Sequence, residues 1–364
     1  MSKISELFML RPVQAKNFSK ALPLPSPDPS LIHGIELEIE GVPNWDELVV
    51  PGMHTEEDGS LRNNGREFIT SPMTYSNLSY CLNLFFNKAK LTEANYSERT
   101  SIHVHANCQD LESSQLQTVL LLYQVFEDVL FGWVGGNRQE NIFCVPWNQT
   151  RLTYSLFDDP TSVSSYKRWQ KYTALNLLPL KEYGTIEFRH MYGHCDLAKI
   201  LQWVRIIGCM FAYARKISLE TTKEMLLSLN TTSHYQNILF DVFGAEAVEL
   251  TAVLGFEQLL EQGVLNIKYA FASSVSMNKA SIKSAPIPNI DELLNDRWLI
   301  RDMAVGQRDI AAGNVPVGQW PARAAPEILM GNRGAIRGFA APARPAPVRP
   351  DFMIMDDIQQ EEAQ

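Results

Sequence analysis

Apolar and polar residues alternate along LIHGIELEIE at 31–40, placing Ile35, Leu37 and Ile39 on one face of an extended strand and Glu36, Glu38 and Glu40 on the other. The same period of two recurs in SIHVHAN at 101–107, where Ile102 and Val104 oppose His103, His105 and Asn107. It recurs again in GTIEFRH at 184–190, where Ile186 and Phe188 oppose Thr185, Glu187 and Arg189. A further strand is predicted at 66–70, with turn chemistry before it in Glu56–Ser60 and in Asn63-Asn64-Gly65.

A helical period replaces the alternation at 74–90, with Thr74 or Ser76 as capping candidate, and at about 112–131, where Gly132 and Gly135-Gly136 are expected to end the run. A third helix is predicted over about 196–217, with Asp196 at its N-cap and Gly208 as an interior weak point. Residues 222–265 read as two or three amphipathic segments separated near Asn230 and Gly244. Strands and long helices in this order predict an α+β fold.

The flanks have a different texture. Residues 1–30 form a lead-in rich in proline and serine (ALPLPSPDPS), so regular structure is expected to begin near Leu31. A core over 31–220 is then followed by a helical C-terminal extension over 221–315 and by a tail over 316–364, rich in proline, alanine and arginine and expected to be disordered. The tail's Arg323, Arg333, Arg337, Arg344 and Arg349 suit either a solvated linker or docking on a protein partner.

Composition narrows the function class. The 364 residues are 45% hydrophobic and 10% aromatic, enough for a large core. A net charge of −9 and a pI near 5.4 argue against a nucleic-acid or anionic-membrane partner, which would need a basic footprint. No run of 18 apolar residues is free of charge and MSKISELFML lacks the features of a signal peptide, so a cytoplasmic location is expected. Cys81, Cys108, Cys144, Cys195 and Cys209 are scattered without C-x-x-C spacing, which favours free thiols over disulfides or a zinc knuckle.

Three carboxylates on one strand face repel one another. A solvated edge explains such a face in isolation, but three strands that each pair an apolar face with Glu, His, Asn or Arg point to a shared site. Carboxylates with one or two imidazoles and no thiolate cluster suit Mg²⁺ or Mn²⁺, and hard ions beside Arg and Lys suit nucleotide phosphates. The cationic candidates are Arg189 and, in YKRWQKYTALNL, Lys167, Arg168 and Lys171. Neither GxxxxGK[ST] nor GxGxxG is present.

The ordered set GIELE (34–38), DGSLRNNGREFITSP (58–72), SIHVHAN (101–107), KYTALNL (171–177) and GTIEFR (184–189) resembles the amidoligase family. That family belongs to the carboxylate–amine ligase superfamily with glutamine synthetase and γ-glutamylcysteine synthetase, and is found among phage and bacterial proteins. The resemblance covers about 31–215. It implies a curved antiparallel sheet that carries the active site between long helices, ATP with two or three divalent ions, and an amide formed through an acyl-phosphate.

Carried over by position, the resemblance makes Glu36, Glu38, Glu67 and Glu187 metal ligands and catalytic residues. His103 or His105 would be an imidazole ligand or nucleotide contact, and Arg189 a phosphate holder. Lys171, Arg168 and Asn176 would face nucleotide or acyl-phosphate. Expected partners are a carboxylate and an amine substrate, a homo-oligomer being unsurprising. Glu40 reads as substrate-side or solvated, Asp58 as loop cap or ligand, Tyr172 as nucleotide contact or packing, and His33, His54, His190, His194 and His234 as structural. Two alternatives stay open: an inactive scaffold of the same fold, and a nucleotide-independent His/Glu metal enzyme of cupin-like type prompted by His103-Val104-His105, against which the spacing counts, because the next carboxylates, Asp110 and Glu112, fall at an expected helix start.

Overall fold

A computed structural model of the chain describes residues 2–276, apart from 43, 136–137, 150–170 and 229–230. These belong to one compact unit, Met1–Leu293; Arg168, Lys167 and the 316–364 tail lie outside the described residues.

The fold is α+β, built on a curved antiparallel sheet. Its strands are β1 (Ile32–Ile39), β2 (Met53–Glu57), β3 (Arg66–Thr70), β4 (Met73–Thr74), β5 (Ser101–Asn107), β6 (Leu175–Asn176) and β7 (Thr185–Tyr192). The order across the sheet is β2-β3-β1-β5-β7-β6, with β4 paired to β1. The four expected strands, three of them read from alternation, are present; β2, β4 and β6 were not expected. Glu56 and Glu57, read as the start of a turn, close strand β2, and the turn begins after them.

Period-2 patterning sets which side is buried. Ile35, Leu37, Phe68, Ile102, Val104, Ile186 and Phe188 are all buried against helices. The helices on that side are α2 (Tyr75–Ala89), α3 (Ser113–Val134) and, after the short α4 (Pro179–Glu182), α5 (Leu197–Lys216). Phe68 meets Phe85 of α2 at 5.1 Å between ring centroids, and Phe188 meets Tyr123 of α3 at 6.1 Å and Trp203 of α5 at 6.3 Å. Each such ring contributes on the order of 2–3 kcal/mol through burial.

Thr74 is the N-cap residue of α2, and Asp196 caps α5 by accepting a bond from the Lys199 N–H at 3.0 Å. Gly132 does not end α3; it lies inside the helix, where a Cβ would meet Leu259 and Val253 at 2.8 Å. The terminator is Gly135, at φ 71°. Helix α5 is long and apolar enough to cross a membrane by length and composition, yet most of its apolar residues are buried in the core.

Beyond α5 come α6 (Leu219–Ser228), α7 (Thr232–Phe243), α8 (Ala247–Thr251) and α9 (Phe256–Ser276), with breaks near the expected Asn230 and Gly244. They thicken the helical layer: Phe126 of α3 contacts Tyr235 at 5.3 Å and Phe243 at 5.0 Å.

The ordered chain starts earlier than Leu31. A helical turn, α1 (Ile4–Leu7), buries Ile4 completely, and the Ile4 and Ser5 N–H groups donate to the carbonyls of Leu111 and Gln109. Residues 11–30 contain no helix or strand, as their prolines predict, but they are pinned. Arg215 bridges Asp28 and Asp110, and the Phe18 N–H donates to Asn77. Gly184, at φ +71°, lets this segment approach: a Cβ there would meet Gln109 at 2.4 Å and Leu10 at 2.7 Å.

Candidate metal and nucleotide site

The sheet face opposite the helices floors an open cavity of about 1100 Å³. Strand register decides what meets on that floor. Glu38 is opposite Glu67, and Glu67 is opposite Glu56; Glu36 is opposite His103; His105 is opposite Glu187, and Glu187 is opposite Asn176. The expected site residues on five separate strands are thus brought together.

Two overlapping groups result. Glu36, His103 and Glu187 place ligand atoms within 4.8 Å of one another, and so do Glu38, Glu67 and His103. His103 Nδ1 lies 3.0 Å from Glu36 Oε2 and 3.4 Å from Glu187 Oε1, and its Nε2 lies 3.8 Å from Glu38 Oε1. Ser101 donates its hydroxyl to Glu38, with the same oxygen 2.7 Å from His103 Nε2.

His105 belongs to neither group. Its Nδ1 is 3.0 Å from Thr185 Oγ1, and its Nε2 is 2.9 Å from Glu36 Oε1, close enough to attract but not aligned as a hydrogen bond. Of the two histidines, His103 is therefore the one with ligand geometry.

Electrostatics follow from this crowding. Burial, the neighbouring carboxylates Glu36 and Glu38, and Asp58 push the Glu67 pKa up to about 9, so it keeps its proton at neutral pH. Burial also acts to raise Glu36, but the hydrogen bond with His103 and the nearness of both His103 and His105 outweigh it and hold this carboxyl well below the usual range. His105 shifts the other way: burial lowers its pKa, the nearby Glu36 carboxylate more than compensates, and the net shift is upward.

Arg189 lies among these groups. It donates through Nη1 to Glu187 Oε1, reaches within 3.4 Å of His103 Nδ1, and donates through Nε to the Phe143 carbonyl at 3.2 Å. Asn176 fixes the other Glu187 oxygen at 2.6 Å. Lys171 lines the cavity near this end, and Tyr172, 43% exposed, packs edge-on against Phe143 with Arg189 5.9 Å from its ring. Tyr172 thus both packs and faces the cavity.

Other expectations divide. Glu40 is neither solvated nor free for substrate: it is buried and accepts the Arg62 N–H at 2.8 Å, anchoring the turn before β3. Asp58 accepts the Ser60 N–H at 2.7 Å as a turn cap while also lining the cavity. His190 and His194 are buried, with pKa values lowered by burial to about 3 and about 4. His54, read as structural, lies on the cavity rim 3.3 Å from Glu56. Asp110 pairs with Arg215 and Glu112 is the N-cap residue of α3, so neither completes a cupin-like set with the two histidines.

Sequence reasoning missed Ser101, His54 and Glu56. The signal for the last two was present: His54, Glu56 and Asp58 recur at every second position, the same period that exposed Glu36 and Glu38.

The donor chemistry suits a hard divalent cation. Carboxylate oxygens dominate, one imidazole is shared, and no thiol belongs to either group. Comparison of the chain with protein-family models gives no match, and comparison with curated proteins gives none either.

Proposed function

We propose that the protein is an ATP-dependent carboxylate–amine ligase, which transfers the γ-phosphoryl group of ATP to a substrate carboxylate and lets an amine displace phosphate to form an amide. The observation that carries this reading is the convergence on one sheet face of two groups of two glutamates that share His103, with the Arg189 guanidinium against His103 and Glu187. The resemblance in the ordered motifs supports it from the sequence.

Divalent ions, Mg²⁺ or Mn²⁺, would be held by Glu36, Glu38, Glu67, His103 and Glu187, and when bound they neutralise phosphate charge and polarise the phosphoryl oxygens. Arg189 and Lys171 supply the remaining positive charge toward the nucleotide. Asn176 orients Glu187, and Ser101 orients Glu38 and His103, so both groups keep their geometry without reorganising. Residues from β5, β7 and the N-terminal segment leave room beside the floor for the acid and the amine.

The test is thermal unfolding with Mg²⁺ and a non-hydrolysable ATP analogue. A ligand that binds only the native state stabilises it by about 2.7 kcal/mol at one hundred times its Kd. The expected result is a magnesium-dependent rise in Tm that Glu36→Ala and Glu187→Ala abolish while remaining folded. A rise with the ion alone, unchanged by saturating nucleotide, would overturn the ligase in favour of a nucleotide-independent metal enzyme. No rise with either would leave a scaffold of this fold.

A further inference from the structure

Strand β7 carries a bulge at the site. Ile102 of β5 is opposite Met191 and Val104 is opposite Phe188, so the single residue His103 faces two residues, Arg189 and His190. Arg189 turns to the cavity. His190 turns to the helices, where it lies 2.8 Å from the Tyr123 hydroxyl.

A bulge leaves backbone groups without ladder partners, and a buried carbonyl without a donor is costly. Here both carbonyls are served by one side chain. Arg138, only 4% exposed, donates through Nη2 to the Arg189 carbonyl at 2.8 Å and through Nε to the His190 carbonyl at 3.1 Å. Its planar fork matches two successive carbonyls from two separate nitrogens, a fixed pair of donors that the single nitrogen of a lysine does not present.

We propose that Arg138 is a positioning residue for the site: by clamping both bulge carbonyls it fixes the backbone from which Arg189 reaches Glu187 and His103. The clamp rests on the ligase reading only for what Arg189 is there to hold, a nucleotide phosphate. Arg138 itself touches neither substrate nor ion. Its effect passes through the placement of the Arg189 guanidinium.

The Arg189 side-chain N–H resonance of the full chain, assigned by its loss in Arg189→Lys, reports this placement with no ion or nucleotide present. Arg138→Gln is expected to broaden it beyond detection. Arg138→Lys, which keeps the charge but loses the rigid two-nitrogen fork, is expected to keep the fold and give a shifted, broader signal. A resonance as sharp and at the same shift as in the parent, in either folded variant, overturns the proposal.

Binding of a Mg²⁺-loaded ATP analogue supplies the second readout. Arg138→Gln should weaken it about tenfold, the loss of one charge-assisted contact, and adding Arg138→Gln to Arg189→Gln should weaken it no further. Additive losses would overturn positioning through Arg189. A parent protein that binds no nucleotide overturns the ligase reading alone, because the resonance test stands without it.

Discussion

With Glu36, Glu38 and Asp58 around it, Glu67 keeps its proton up to about pH 9, whereas in an unfolded chain it would ionise near 4.5. The folded, ion-free protein therefore holds one more proton than the unfolded chain across that window. The stability this gives is fully present below pH 4.5 and is lost as pH rises toward 9. A cation beside Glu38 and Glu67 has to displace that proton. Calorimetry of Mn²⁺ binding near pH 7.5, repeated in buffers of different ionisation heat, should show release of about one proton, and Glu67→Gln should release none. Buffer-independent heats in the parent would mean that Glu67 is no ligand. At this scale much was legible: alternation put Glu36 and Glu38, His103, and Glu187 and Arg189 on the polar faces of their three strands, and the strand pairing joins those faces. It could not separate His103 from His105, because their difference lies in Ser101 and Thr185, partners set by three-dimensional packing.

Among the elements, β7 departs most from its pattern. Simple alternation across GTIEFRHMY would send Met191 to the cavity, yet the bulge at Arg189 and His190 returns it to the helical side opposite Ile102. His190 is buried beside Tyr123, Phe131 and Trp203, and burial holds its pKa near 3 against 6.5 for a free side chain. Below pH 6.5 the unfolded state takes up a proton that the folded state refuses, so stability falls with falling pH until about pH 3. Between pH 6.5 and 4 this costs the parent up to about 3 kcal/mol. Urea unfolding of His190→Gln across this range should show a correspondingly shallower acid loss; equal slopes would show that the buried ring is not the cause. Elements with a strong period were readable within two or three residues. Strand β6, two residues long, was not, because so short a pairing leaves no period.

The whole molecule joins its first residues to its site. Ile4 is fully buried, the Lys3 backbone pairs with that of Glu112 in an isolated antiparallel bridge, and the Val13 N–H donates to Gln109, so Met9, Leu10, Arg11 and Val13 become cavity wall. Composition gave no hint of this, since the partners lie a hundred residues downstream. Deleting residues 2–13 should lower stability by at least about 2 kcal/mol, the burial of one isoleucine, read by chemical denaturation; an unchanged midpoint would show that the segment merely rests on the surface. The cavity it helps to wall is open and, at about 1100 Å³, lies just above the range of ordinary ligand sites. For the proposed ligase, room for a nucleotide, an acid and an amine together would also be room for water. In that reaction an activated acyl group on this floor would face two nucleophiles, the amine and the solvent, and the yield of amide per ATP would depend on how completely the substrates themselves fill the basin.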